Sequence, residues 1–179
     1  GSLETGGTML MIASITIGAL LGELINIEAQ MERFGEWLKD KAKSSGDTKF
    51  VEGFVTASLT VCIGAMAIVG SIEDGISGNH DTLFAKAALD LVIVMVFAAT
   101  YGKGVAFSAI PVAILQGIVT ICAGFIAPIM NDSIIANISF IGSMLIFCVG
   151  VNLSFGKKFK VGNMLPAIII PFTYGLIAG

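Results

Sequence analysis

Between Glu52 and Glu73 the chain carries about 20 consecutive residues with no charge, GFVTASLTVCIGAMAIVGSI. At about 1.5 Å of rise per helical residue this run reaches roughly 30 Å, the thickness of a bilayer's hydrocarbon core. A backbone at that depth has no water to bond, so the simplest expectation for Phe50 to Gly75 is one membrane-crossing helix. Gly53, Thr56, Thr60, Gly64, Ala67 and Ser71 recur three or four apart along it. They form a narrow small-residue face on which another helix can come close.

The rest of the chain supports the same class. A composition 55% hydrophobic and only 13% charged, with a mean hydropathy of +0.92, is that of an all-α, polytopic membrane bundle and not of a soluble domain. Six apolar segments are expected, at Thr8 to Ile27, Phe50 to Ser71, Thr82 to Tyr101, Val105 to Ile129, Ser133 to Leu153 and Met164 to Gly179. Residues 1–7 read as a tag or linker and 8–179 as a single domain. No basic run interleaves with aromatics, which argues against nucleic acid as a partner. Cys62, Cys122 and Cys148 all fall in apolar segments without metal-ligand spacing, and His80 is the single histidine; neither a metal nor another cofactor is expected. No nucleophile, zinc or nucleotide motif is present, so an enzyme is not expected.

Nine of the ten basic residues lie in three connections: Arg33, Lys39, Lys41, Lys43 and Lys49; Lys103; and Lys157, Lys158 and Lys160. The positive-inside rule puts loops 28–49, 102–104 and 154–163 in the cytoplasm, and the protein in a bacterial cytoplasmic (inner) membrane. Within the first loop, Ile27, Met31, Phe34 and Leu38 recur at helical spacing beside Trp37. This predicts an amphipathic helix over Glu28 to Lys43 lying in the lipid interface, or else offering that face to a soluble partner.

Ser14, Gly18 and Gly22 make a second close-packing face. Ala106, Ala109, Ala113, Gly117, Thr120 and Gly124 repeat the spacing of Gly53 to Ser71, so these two helices are expected to be neighbours. The helix-packing residues singled out are Gly53, Thr60, Gly64, Ala67, Ala109, Ala113, Gly117 and Gly124. Pro111 should kink or break the fourth segment, and Pro166 with Pro171 the last. At an offset of 86, Phe54, Leu59, Cys62, Gly64 and Gly70 match Phe140, Leu145, Cys148, Gly150 and Gly156. Either an inverted repeat of the kind found in secondary transporters or chance similarity of two apolar helices explains this.

Polar groups inside such segments are expensive and mark either function or structural pairing. Asp90 lies two turns into the third segment with Lys86 four residues before it. The two either pair structurally or form a cation- or proton-binding site in a hydrated cavity. Gln116, Asn137 and Asn152 are interhelical hydrogen-bonding groups or, with Asp90 and Lys86, parts of an ion or solute path. Glu23 and Glu52 sit near the cytoplasmic ends of their helices, where they are interfacial or attract cations. Glu73 and Asp74 read as solvated turn residues.

Three stretches carry a resemblance: FVEGFVTASLTVCIGAMAIVGSIEDG, FSAIPVAILQG and VNLSFGKKFKVGNMLPA. Through GAMAIVGS and VGNxLPA above all, the chain resembles the bacterial membrane family typified by YqgA and YdfK, a domain of unknown function. The resemblance covers most of Met9 to Tyr174. It implies a small polytopic protein of the cytoplasmic membrane with no established activity, and a further N-terminal hydrophobic unit in family members that is expected to be absent here. The leading functional expectation is a small, homo-oligomeric transporter or channel-like protein for an ion or small solute in the lipid bilayer; the alternative is a non-transporting scaffold or regulator.

Overall fold

The single helix expected over Phe50 to Gly75 is two helices. The computed structural model describes residues 5–171 and 173, and within them the chain forms α3 (Phe50–Cys62) and α4 (Ala65–Ser77), bent by 62° at a break over Ile63 and Gly64. Ile63 is extended at φ −82°, ψ 96°, and Gly64 at φ 177°, ψ 139°. The α3 half packs against α8 (Asp132–Phe155). Both halves touch α8, α5 (Asp81–Tyr101) and α6 (Ala109–Ile121), and α4 lies mainly along α5 and α6. No proline marks this break.

Ahead of these helices stand α1 (Thr5–Ile25) and α2 (Ile27–Lys41), bent by 48° at Asn26, whose φ of 52° is left-handed. After α6 come the short α7 (Ala123–Ile126), α8, and the short α9 (Val161–Met164) with a 3-10 turn over Leu165–Ile168. No strand occurs among the described residues. The architecture is a helical bundle.

Two stretches are long and apolar enough to cross a membrane, 81–121 and 132–155. The bent pairs 12–25 with 27–41 and 50–62 with 65–77 would raise the number to four among the described residues. The 81–121 stretch is no straight rod. Gly70 meets Thr82 and Leu83, while Gly75, one and a half turns on, meets Thr120 and Ala123. A straight helix would hold those two groups roughly 55 Å apart. The chain instead reverses through a 3-10 helix at Gly102–Ser108, entered by Gly102 at φ 77°. At Gly104 a methyl group would stand 2.0 Å from the Phe50 carbonyl oxygen, so only glycine admits this contact with α3.

Pro111 therefore falls in the first turn of α6, where its missing N–H has no intrahelical partner to lose; the helix starts beside it instead of bending around it. The fourth segment ends as sequence does not suggest, with breaks at Cys122 and around Pro128. The last segment is discontinuous across Pro166, and its Phe172 and Tyr174 to Gly179 lie outside the described residues. The two halves of the offset-86 match differ in form, since Cys62 to Gly64 breaks a helix where Cys148 to Gly150 continues one.

The core is built on α3. Phe50, Phe54, Ile63, Ile138, Ile141 and Leu145 are essentially inaccessible, joining α3 to α8. In lipid, burying apolar surface between helices gains little, so close backbone approach and internal polar bonds matter more. The closest approaches use glycine. A methyl at Gly18 would stand 2.3 Å from the Ala167 nitrogen, and one at Gly22 1.7 Å from the Asn163 carbonyl oxygen. The expected α1 face thus seats the 161–168 segment.

Candidate functional site

Helical spacing alone places Lys86 and Asp90 on the same side of α5. Their side chains form an ion pair, with exposures of 7% and 20%. Lys86 is the sole buried residue recorded for α5, which is otherwise peripheral. Both charges lie within electrostatic reach of Cys62, the last residue of α3. The pair therefore stands beside the α3/α4 break, where helix ends leave backbone carbonyl and N–H groups without intrahelical partners. No hydrogen bond or ion pair among the described residues links it to Gln116, Asn137 or Asn152. Gln116 is half-buried on α6 and Asn137 half-buried on α8.

Asn152 has a different task. Its side-chain oxygen accepts from the Lys158 and Phe159 amides at 2.8 and 2.9 Å, and its amide donates to the Phe159 carbonyl at 2.7 Å. It clamps the turn that leaves α8 and also borders a groove. On α2, Glu28, Glu32 and Glu36 are spaced four apart and fall on one face. With Glu52 of α3, Asn152 and Lys157 they line a cavity of about 310 Å³. Lys157 Nζ bonds Glu28 and Glu32, each at 2.7 Å. Burial acts to lower the Lys157 pKa, but the hydrogen bonds to Glu28 and Glu32 outweigh it and hold the ammonium above the ordinary lysine value. Four carboxylates against one lysine leave the groove negative, which attracts cations. Among the described residues no cluster of His, Cys, Asp or Glu suits a metal ion.

Beside the groove the bend at Asn26 is held by the segment it touches. The Glu28 amide donates to Asn163 Oδ1 at 2.8 Å, and Glu28 Oε2 accepts from the Gly162 amide at 3.0 Å. Asn163 Nδ2 donates to Glu23 at 2.6 Å, and Glu23 also pairs with Lys160 at 2.5 Å. Gly162 has no room for a Cβ, which would come within 3.0 Å of both Glu28 Cα and Cβ. VGN is thus a latch for the α1–α2 corner. Glu28, buried and central to both latch and groove, was missed by sequence reasoning; its partners are 134 and 135 residues away, and no local pattern connects them.

Of the expected packing residues, Gly53 is seated against Tyr101 and Val105. Ala67 is buried, Thr60 is half-buried and bonds its own helix at Thr56, and Ala109 and Ala113 are exposed on α6. Gly64, Gly117 and Gly124 face open space. The opening stretch and α6 are neighbours through α4, but Gly75 makes the close contact. Glu73 and Asp74 are half-buried and hold the α4–α5 turn, Glu73 accepting from Thr82 Oγ1 at 2.6 Å and Asp74 pairing with His80. The apolar side expected to float α2 on lipid is divided: Leu38 is buried and its neighbour Gly35 lies against Val51 and Phe54, while Phe34 meets Phe54 edge-on yet stays exposed, as does Trp37.

A helical bundle with apolar flanks on α1, α5 and α6, polar groups at its core and membrane-length stretches is an integral membrane protein. The chain belongs to the family described as "Protein of unknown function (DUF554)", whose model matches residues 1–175. It is 34% identical over 163 residues to the "Uncharacterized membrane protein YdfK" of Bacillus subtilis (strain 168), covering 91% of this chain and 68% of that one. It is 28% identical over 164 residues to the "Uncharacterized protein YqgA" of Escherichia coli (strain K12), covering 89% and 70%. No solved structure matches it.

Proposed function

We propose that this protein is a small transporter or channel-like protein for an ion or small solute, with no enzymatic step. The observation that carries the reading is the Lys86–Asp90 pair, its lysine buried and its aspartate half-buried on an otherwise peripheral helix beside the α3/α4 break. Discontinuous helices at membrane depth are tolerated where they line protein or a hydrated cavity, and their ends supply partial charges to a passing ion. The excess negative charge of the α2–α3–α8 groove favours a cation, with Asp90 as its counter-charge and Lys86 setting how tightly it holds. The three basic connections lie at one end of the bundle: the loop after α2 meets the end of α5, where Asp47 lies 3.4 Å from where a Gly102 side chain would begin and Lys49 Nζ bonds the Thr100 carbonyl at 3.4 Å, and Lys157 bonds Glu28 and Glu32 of α2. That clustering supports a cytoplasmic placement of loops 28–49, 102–104 and 154–163. The open face at Gly117 and Gly124 supports assembly into a homo-oligomer.

Protein purified and reconstituted in liposomes is expected to conduct ions or solute down a gradient, and Asp90→Asn to abolish the flux. Equal flux from the two proteins would remove Asp90 from the mechanism. A non-transporting scaffold or regulator is the second reading, favoured by the aromatic side chains that α2 leaves exposed. It expects no flux from either protein.

A further inference from the structure

Helix α2 sorts its side chains into three sides. Glu28, Glu32 and Glu36 face the groove, and Gly35 and Leu38 pack inward. Gln30, Arg33, Phe34, Trp37 and Lys41 share the remaining side, and all five are exposed. On that side Phe34 and Trp37 stack with ring centroids 5.7 Å apart, and Lys41 Nζ stands 5.8 Å over the Trp37 ring. Phe34 remains 37% and Trp37 53% exposed. The stripe is a stacked aromatic pair with a cation at each end, its single acid, Asp40, lying at the margin nearest the glutamates.

The height of this stripe follows from α1. Leu20, Leu21, Leu24 and Ile25 are exposed apolar residues, Leu24 the most at 84%. They require acyl chains around them. Two residues after Leu24 the backbone turns at Asn26 and α2 begins, so α2 leaves the acyl region at its edge, at headgroup level. Tryptophan is favoured at that depth, and basic side chains beside it are drawn to anionic lipid within a Debye length of the surface. We propose that the Arg33–Phe34–Trp37–Lys41 stripe is a docking surface for the headgroups of anionic phospholipids in the leaflet that α2 borders, the aromatic pair inserting between headgroups and the two cations selecting negative charge. This surface is independent of the Lys86–Asp90 pair and of any transported species.

Trp37 is the only tryptophan in the chain, so its fluorescence reports on this stripe directly. The whole protein is reconstituted in vesicles of phosphatidylcholine alone and of phosphatidylcholine mixed with phosphatidylglycerol. Phosphatidylglycerol is expected to shift Trp37 emission to the blue and to weaken its quenching by acrylamide. High salt should reverse both changes, and Arg33→Gln combined with Lys41→Gln should abolish them while helicity by circular dichroism is retained. Identical emission in the two vesicles overturns the proposal, and this arm needs no variant to fold. A shift that survives the double substitution also overturns it. So does one that follows the protein-to-lipid ratio instead of the phosphatidylglycerol content, because it would assign the stripe to a second protein copy.

Discussion

At Lys86 and Asp90 two charges taken out of water are each other's main compensation, and removing one strands the other. Breaking a buried pair costs more than replacing both members with apolar groups of similar size. Lys86→Met is therefore expected to lower stability by about 3 kcal/mol, the lower end of the range for buried pairs because Asp90 is partly accessible; the double variant Lys86→Met, Asp90→Leu should recover most of that loss. Thermal unfolding in detergent measures the cycle, and simple additivity of the two single changes would show that the charges are not coupled. This pair was legible in the sequence because four residues make one helical turn. Glu28 was not, because what buries it arrives from the far end of the chain. Asn152 was legible as a polar group at depth, but its role as a turn clamp depends on where Lys158 and Phe159 return.

Small-residue spacing names faces that could be close, and it does not say which are occupied. The face of α1 and that of α6 read alike, yet Gly18 and Gly22 are pressed against Ala167 and Asn163 while Gly117 and Gly124 meet nothing within 4 Å. Gly22→Ala should therefore cost more than about 2 kcal/mol, since backbone must move to admit the methyl. Gly117→Ala should be neutral or stabilise the monomer by up to about 1 kcal/mol through helix propensity. Melting temperatures of the two variants test the contrast, and equal effects would contradict the packing described here. The α3/α4 break was illegible for a related reason: the helical spacing of small residues runs unbroken through it, and neither a proline nor a charge interrupts it. Gly64 is extended with open space at its Cβ position, so Gly64→Ala should keep the bend.

Across the whole molecule, the α1–α2 corner and the 157–163 segment are joined by charge as well as by shape. Because the folded-state pKa of Lys157 is raised, its ion pairs contribute stability that is complete below the ordinary lysine value of 10.5 and lost as pH rises through the higher folded-state value. Unfolding midpoints of detergent-solubilised protein are expected to hold steady from neutral pH to that region and then fall, and Lys157→Met should remove the part of the fall that belongs to this side chain. Helical class and membrane character were readable from composition and uncharged runs alone; the pairing of the α1–α2 corner with the 157–163 segment was not, because nothing local encodes it. That pairing also sets an order of assembly. Contacts such as Glu28 with Gly162 and Glu23 with Asn163 span 134 and 140 residues. At roughly 5–20 residues per second of synthesis, α1 waits on the order of ten seconds for its seat to be made. During that interval the bare Gly18 and Gly22 surface is open to whatever the insertion machinery or the bilayer offers, and a ribosome that stops before residue 161 releases a chain whose α1 lacks the seat that Gly18 and Gly22 are shaped for.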